Sequence, residues 1–198
     1  MMTYGILTST KSASGDVFQL NLNHPHVMAI QTLIKPWFFT SKEDNQIRNA
    51  LFTLGAPIFG EEIEVLDREQ SLVQGVILAH HDGTIASILP IVFYKQRDEL
   101  KPERLIYWAK FFNEKQSIGF FLDLTYELCK DKRFRNWSKT YYDKRRVAVT
   151  YFFAGDDRST LSKEITERNT PPIARKWNLR ANLSMNTFES TFKKHTHA

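Results

Sequence analysis

Residues 73–89 read VQGVILAHHDGTIASIL and carry the strongest local folding signal in the chain. Two apolar, β-branched runs stand on either side of Asp82-Gly83. This dipeptide is typical of two-residue hairpin turns, because both central positions need positive φ. Placing the turn there pairs Ile77 with Ile88 and leaves apolar side chains on both faces. The pattern therefore predicts a β-hairpin that is covered on both sides.

A second strand is predicted over residues 146–154, RVAVTYFFA, which are rich in β-branched and aromatic side chains. A Gly-Asp-Asp turn follows this run, and we expect the strand to join the sheet of the hairpin. Pro90 has no N–H to donate, so it predicts an edge or a bulge at the end of the hairpin. Shorter β-like stretches are expected at residues 3–8 and 15–22.

Helical periodicity is clearest over residues 41–54, where apolar side chains recur at i, i+3, i+4 and i+7. Gly55 follows this stretch and predicts the end of the helix, because glycine readily adopts the left-handed conformation found there. Residues 102–112 and 118–129 also have apolar side chains at helical spacing. Each of these two ranges is therefore predicted to form a helix.

These elements together predict an α+β fold. A small antiparallel or mixed sheet, including the 73–93 hairpin and strand 146–154, is expected to pack with about four to five helices. The length of 198 residues suits a single α+β domain over residues 1–172. The composition then becomes polar and basic, so residues 173–198 are predicted to form a tail or a loosely docked arm.

Charge is distributed unevenly along the chain. Residues 1–99 contain 7 Lys and Arg against 11 Asp and Glu, whereas residues 100–198 contain 20 against 11. The first half therefore has a net charge of −4 and the second half a net charge of +9. This asymmetry favours a basic face that meets an anionic partner.

The composition also indicates the compartment. Cys129 is the single cysteine, so folding requires no intramolecular disulfide and no oxidising environment. No apolar run approaches the roughly 20 residues of a membrane-spanning helix, and the first residues lack the pattern of a secretion signal. We expect a cytoplasmic protein without a membrane partner.

The segment from Lys130 to Arg146 has the strongest functional signal. Its eight basic and two acidic residues give a net charge of +6, and four aromatic residues are interleaved with them. If residues 133–142 are helical, Arg135, Lys139 and Tyr142 fall at i, i+4 and i+7 on one face. Such a face suits phosphate groups, and an exposed aromatic ring can stack on an unpaired base.

The first hypothesis is a non-catalytic nucleic-acid-binding protein that uses residues 130–146 to contact the phosphate backbone. The C-terminal arm is a further candidate for the same interface. No groove-reading motif is present, so weak or indirect sequence readout is expected. The candidate nucleic-acid-binding residues are Lys132, Arg133, Arg135, Trp137, Lys139, Tyr142, Lys144, Arg145 and Arg146.

Two other interpretations fit the same residues. Residues 130–146 could be an ordinary amphipathic helix with aromatic rings in the core and charged side chains in water. Alternatively, the protein is an adaptor or accessory subunit of a multiprotein complex, with exposed aromatic residues as anchors and an acidic protein surface as partner.

No local catalytic signature is present, so the sequence favours a protein that is not an enzyme. It contains no phosphate-cradling glycine loop, no G-x-S-x-G and no H-E-x-x-H. A hydrolase or transferase that uses His80, His81 or Asp82 is the third and weakest hypothesis. No catalytic residue, metal site or cofactor is predicted.

Overall fold

The computed structural model describes residues 7–12, 15–20, 41–142, 149–152, 160–182 and 184–196. The chain divides into two compact units, Met1–Ser41 and Lys42–Ala198. In the first unit, strand β1 (Leu7–Ser12) pairs with strand β2 (Gly15–Leu20) in antiparallel register. Strand β2 lies within the predicted stretch 15–22, whereas β1 overlaps the predicted stretch 3–8 only at residues 7 and 8.

The rest of the described chain is mainly helical. The helices predicted at residues 41–54, 102–112 and 118–129 are confirmed, within a few residues at their ends. The helices are α1 (Ser41–Thr53), α2 (Arg68–Ala79), α3 (Gly83–Lys95), α4 (Pro102–Phe111), α5 (Lys115–Cys129), α6 (Lys132–Tyr141), α7 (Thr160–Asn169), α8 (Pro172–Lys176) and α9 (Met185–Thr196).

The predicted 73–93 hairpin is wrong, because these residues form helices α2 and α3. Asp82 does not form a β-turn but caps α3: its Oδ1 accepts hydrogen bonds from the N–H groups of Thr84 and Ile85 at 2.8 and 3.1 Å. Pro90 lies inside α3 and is buried there. Apolar residues on all sides are compatible with a buried strand or a buried helix, so the sequence pattern alone does not separate them.

The predicted sheet is also wrong. Within the range 146–154, the described part forms only the two-residue strand β3 (Thr150–Tyr151). This strand pairs in parallel with β4 (Leu179–Arg180) and not with residues 73–93. The described chain is therefore predominantly helical rather than α+β with a hairpin-based sheet, and it has nine helices where four to five were expected.

Helix α3 forms the centre of the second unit and packs against α2, α5 and α9. Six consecutive residues, Ile88 to Phe93, are buried. A helix that is apolar on every side must be enclosed by its neighbours. This requirement explains why the most hydrophobic segment of the chain lies in the core.

The segment from α8 to β4 is fixed to α5 by Trp177. The Gln116 side chain donates to the Trp177 carbonyl oxygen, and the Trp177 indole N–H donates to Asp123. Gly119 leaves room for the indole, because a Cβ there would lie 2.2 Å from Trp177 Cζ3. The division into a domain of residues 1–172 and an arm of residues 173–198 stays a prediction.

Among the described residues, no helix is both long enough and apolar enough to cross a membrane.

Candidate nucleic-acid interface

The start of helix α6 within the basic segment is well defined. Lys130 adopts a left-handed conformation with φ of 58° and ends α5. Asp131 then caps α6 and accepts a hydrogen bond from the Arg133 N–H at 3.0 Å. A side-chain cap of this type typically stabilises a helix by about 1 kcal/mol. The cap thus sets where the basic helix begins.

One face of α6 is buried and fixes the orientation of the rest. Phe134, Ser138 and Tyr141, at i, i+4 and i+7, are each 2% exposed or less. Trp137 is half-buried, and its ring lies edge-on to Phe134 with a centroid distance of 5.3 Å. Burial raises the pKa of the Tyr141 hydroxyl, so this group stays neutral. The remaining side chains of α6 must face outward.

The outward stripe of α6 carries Lys132, Arg135 and Lys139 at i, i+3 and i+7, followed by Tyr142 at the C-cap. All four are exposed. Residues three and four apart on a helix are neighbours, with about 5–6 Å between their Cβ atoms. Three cations therefore form one row that ends at an aromatic ring.

Tyr126 at the end of α5 extends this row. The Arg135 guanidinium lies 5.3 Å from the centre of the Tyr126 ring and donates to the Tyr126 hydroxyl at 3.3 Å. Lys130 Nζ lies 5.6 Å from the same ring. The two cations are therefore grouped around one aromatic side chain.

Helix α8 brings Lys176 next to α5. Lys176 Nζ donates to Asp123 Oδ2 at 2.5 Å, and Ser138 Oγ of α6 lies 3.2 Å from Asp123 Oδ1. The Trp177 ring lies 5.7 Å from Lys176 Nζ and 5.8 Å from the Tyr142 ring. We call the combined group the basic surface. It consists of Tyr126, Lys130, Lys132, Arg135, Lys139, Tyr142 and Lys176.

The cations of the basic surface differ in how far they are neutralised. Lys130 pairs with Glu127 at 2.6 Å, and this hydrogen bond raises the Lys130 pKa. Lys176 pairs with Asp123. Among the described ion pairs, none involves Lys132, Arg135 or Lys139. These three side chains carry the charge that remains available to an anion.

Arg133 lies on the other side of α6, and its guanidinium already forms ion pairs with two carboxylates. Its guanidinium is 2.7 Å from Asp98 and 2.7 Å from Asp131. These hydrogen bonds raise the pKa of Arg133 and lower the pKa values of both carboxyl groups. The structure therefore separates Arg133 from the row formed by Lys132, Arg135 and Lys139. Lys144, Arg145 and Arg146 lie outside the described residues.

The sequence places Lys176 in the predicted C-terminal arm, but it did not point to Tyr126 or Asp123 as members of this arrangement. Tyr126 and Asp123 belong to α5, and Lys176 lies 53 residues after Asp123. No spacing rule connects such distant positions. The buried Asp123 in an otherwise apolar stretch, FFLDL, is the one local signal that could have indicated a polar partner.

His80 lies in a separate polar cluster with Glu114 and Ser117. Its Nε2 is 3.1 Å from Glu114 Oε2 and 3.2 Å from Ser117 Oγ. Both partners meet the same ring nitrogen, whereas a Ser-His-acid relay needs the acid on the other nitrogen. The His80 ring stacks on Phe152 at 4.2 Å. This geometry is that of a structural link between α2, α5 and the residue after β3.

Asp82 and His81, the other two residues of the hydrolase or transferase hypothesis, do not belong to this cluster. Asp82 caps α3 and forms an ion pair with Arg48. His81 is exposed. No group of three or more His, Cys, Asp or Glu side chains within the described ranges is arranged to hold a metal ion.

Comparisons with known proteins give no relative: no family model, no curated protein and no solved structure matches this chain.

Proposed function

We propose that this protein binds nucleic acid without catalysing a reaction, through phosphate contacts from the basic surface. The observation that carries the proposal is the exposed row of Lys132, Arg135 and Lys139, whose charges no described carboxylate neutralises. Positive side chains that replace condensed counterions on phosphates supply most of the affinity in non-specific binding.

The chemistry of the row favours backbone recognition over base readout. A helix stripe of Lys and Arg offers charge and N–H donors, both of which suit phosphate oxygens. Tyr142 is 50% exposed at the end of the row, where its ring is available to an unpaired base. Stacking of this kind contributes about 1–3 kcal/mol per base and tolerates any sequence.

The C-terminal helix is a secondary candidate for the same interaction. Lys193 and Lys194 lie exposed in the last turn of α9, while Phe188 and Phe192 on its inner side are buried. This arrangement presents two further cations on a fixed helix. Nucleic acid as the partner and the cytoplasm as the compartment are parts of the same proposal.

Fluorescence anisotropy with labelled oligonucleotides of about 20 nucleotides tests the proposal, with single- and double-stranded DNA and RNA as separate arms. The site variant is Arg135→Ala/Lys139→Ala. The matched control is Lys163→Ala/Arg168→Ala, which removes the same charge from exposed positions of α7. We expect the site variant to raise Kd at least tenfold more than the control, because two phosphate contacts are lost.

The salt dependence gives a second readout. Removing two phosphate contacts should reduce the slope of log K against log salt by about 1–2. Equal effects of the site variant and the control would overturn the assignment to the basic surface. Absence of binding to all four nucleic acids at low salt would overturn the function itself.

The adaptor function is the second candidate, and one observation favours it. Tyr107 and Phe111 of α4 are 59% and 66% exposed, and large exposed rings often anchor protein interfaces. Co-purification of a stoichiometric protein partner after nuclease treatment would support this alternative. Its partner would be an acidic protein surface if it docks on the cations described above.

A further inference from the structure

Helix α4 carries a cluster of aromatic rings that is only partly covered. Tyr107, Trp108, Phe111 and Phe112 form a connected group with ring-centroid distances of 5.0–6.5 Å. Single exposed apolar residues are common, but adjacent exposed rings mark an interaction surface. We call these four residues the aromatic patch.

Two exposed cations that take part in no described ion pair, Lys101 and Lys110, lie beside the aromatic patch. Lys101, Arg104 and Lys110 are exposed on or next to α4, against the single acidic residue Glu103 of this helix. Arg104 pairs with Asp67 and lies 3.7 Å from Glu69, so the charge that remains available beside the patch is that of Lys101 and Lys110. The partner of this patch should therefore combine apolar side chains with negative charge.

The chain itself contains a segment with those properties. Residues 59–66, FGEEIEVL, carry three Glu side chains and no positive charge. Phe59 is 103% exposed and Leu66 is 89% exposed. Glu61, Glu62 and Glu64 are also exposed, and none takes part in a described ion pair. We call residues 59–66 the acidic segment.

The acidic segment is held in place by α1. The Glu61 N–H donates to Asn49 Oδ1 and the Ile63 N–H donates to Thr53 Oγ1, both at 3.1 Å. Gly60 allows the close approach, because a Cβ there would lie 2.8 Å from Phe52 Cβ. A segment whose backbone is anchored loses less conformational entropy on binding. Phe59 is nevertheless left in solvent.

The aromatic patch and the acidic segment are neighbours in one copy of the chain. Asp67 directly follows the segment, and its Oδ2 accepts a hydrogen bond from the Trp108 indole at 2.9 Å. Leu66 and Arg104 line the same cleft. A surface that holds two complementary features side by side can pair with itself about a two-fold axis.

We propose that two copies of this chain form a two-fold dimer in which the acidic segment of each copy lies on the aromatic patch of the other. Phe59 then packs among the exposed rings, and the Glu side chains face Lys101 and Lys110. The charge complementarity of the two features selects a second copy as the occupant. This dimer is independent of nucleic-acid binding, since none of its residues belongs to the basic surface.

Sedimentation velocity on the full chain tests this proposal with two charge-reversal variants. The patch variant is Lys101→Glu/Lys110→Glu, and the segment variant is Glu61→Lys/Glu62→Lys/Glu64→Lys. In a dimer of either variant alone, both contacts bring together like charges. In the mixed dimer, both contacts bring together opposite charges. We expect each variant to be monomeric alone and an equimolar mixture to form a dimer.

Two controls keep the test decisive. Lys163→Glu/Arg168→Glu on α7 should leave the wild-type dimer unchanged, and circular dichroism should show a native helical spectrum for every variant. Should a charge-reversal variant fail to fold, Phe59→Ser replaces it, because that side chain contacts solvent and its loss should raise the dimer Kd at least tenfold.

Three results of the sedimentation experiments would overturn the proposal. They are a wild-type chain that stays monomeric up to about 100 µM, charge-reversal variants that dimerise as the wild type does, and a mixture that stays monomeric. A complex with a different protein at the aromatic patch, in place of self-association, would also overturn it.

Discussion

Asp123 and Trp177 lie 54 residues apart, and the Trp177 indole N–H donates a hydrogen bond of 3.1 Å to Asp123 Oδ2 inside the core. The same carboxylate accepts from Lys176 Nζ at 2.5 Å and lies 3.2 Å from the Ser138 hydroxyl. One buried carboxylate thus joins α5, α6 and the segment after α8. This contact brings Lys176 to the basic surface.

Asp123→Ala should lower the free energy of unfolding by about 2–4 kcal/mol, because three donors lose a charged acceptor. Urea denaturation followed by circular dichroism measures the change. Asp123→Asn should cost less, since the amide oxygen still accepts from the indole. If the alanine variant unfolded at the same urea concentration as the wild type, Asp123 would not hold these helices together.

Gly119→Ala should destabilise the protein by about 2–3 kcal/mol, because the added Cβ has no room beside the Trp177 ring. Gly75→Ala is the matched control within a helix. Its Cβ would lie 2.9 Å from one terminal methyl of Leu51, so it meets the end of an aliphatic side chain rather than a rigid indole ring. Thermal melts of both variants compare the two costs. Similar melting temperatures for the two variants would contradict the contact.

Arg133→Ala should leave nucleic-acid affinity within about twofold of the wild type, whereas Arg135→Ala should raise Kd about fivefold to tenfold at low salt. The reason is that Asp98 and Asp131 already occupy the Arg133 guanidinium, while Arg135 has no carboxylate partner among the described ion pairs. Anisotropy titrations at one salt concentration measure both. The reverse order would place the contact on the opposite side of α6.

Asp67 should make the free energy of unfolding depend on pH in the acidic range. Burial alone would raise its pKa, but hydrogen bonds from the Gln70 N–H, Arg104 and Trp108 outweigh that effect and lower it. A carboxyl group whose pKa is lower in the folded state than in the unfolded state stabilises the protein at pH values above its unfolded-state pKa of about 3.9. That contribution is lost as the pH falls through the folded pKa.

Asp67→Asn should therefore cost about 1–3 kcal/mol at pH 7 and flatten the loss of stability below about pH 4. Asparagine caps helices about as well as aspartate, so the cap of α2 is retained. Urea denaturation at pH 7, 5 and 3 gives the comparison. An equal cost at all three pH values would show that the charge of Asp67 does not contribute.

The sequence predicts those parts of the fold that have one apolar face. Residues 102–112 and 118–129 show a helical stripe next to polar positions, and both form helices as expected. Residues 73–93 have no polar face to reveal a period, and Asp82-Gly83 fits a β-turn as well as a helix start. Burial on every side thus removes the signal on which the prediction depends.

The candidate site likewise combines local relations that the sequence predicts with long-range contacts that it does not predict. The relation between Arg135 and Lys139 is local, so helical spacing alone places them on one exposed stripe, whereas Tyr142 follows the helix as an extended C-cap. The pairing of Arg133 with Asp98 and of Lys176 with Asp123 joins residues 35 and 53 positions apart. These contacts depend on how helices pack, which no local pattern encodes.

Because α3 is enclosed, its backbone amide protons should be among the last of the second unit to exchange with water. Ile88 to Phe93 are covered by α2, α5 and α9, so a local fluctuation does not expose their backbone. Exchange at such amides follows the opening of the whole unit, and its rate reports the global free energy of unfolding. The rate of deuterium uptake at α3 therefore measures the free energy of unfolding of the whole second unit, including the helices around α3.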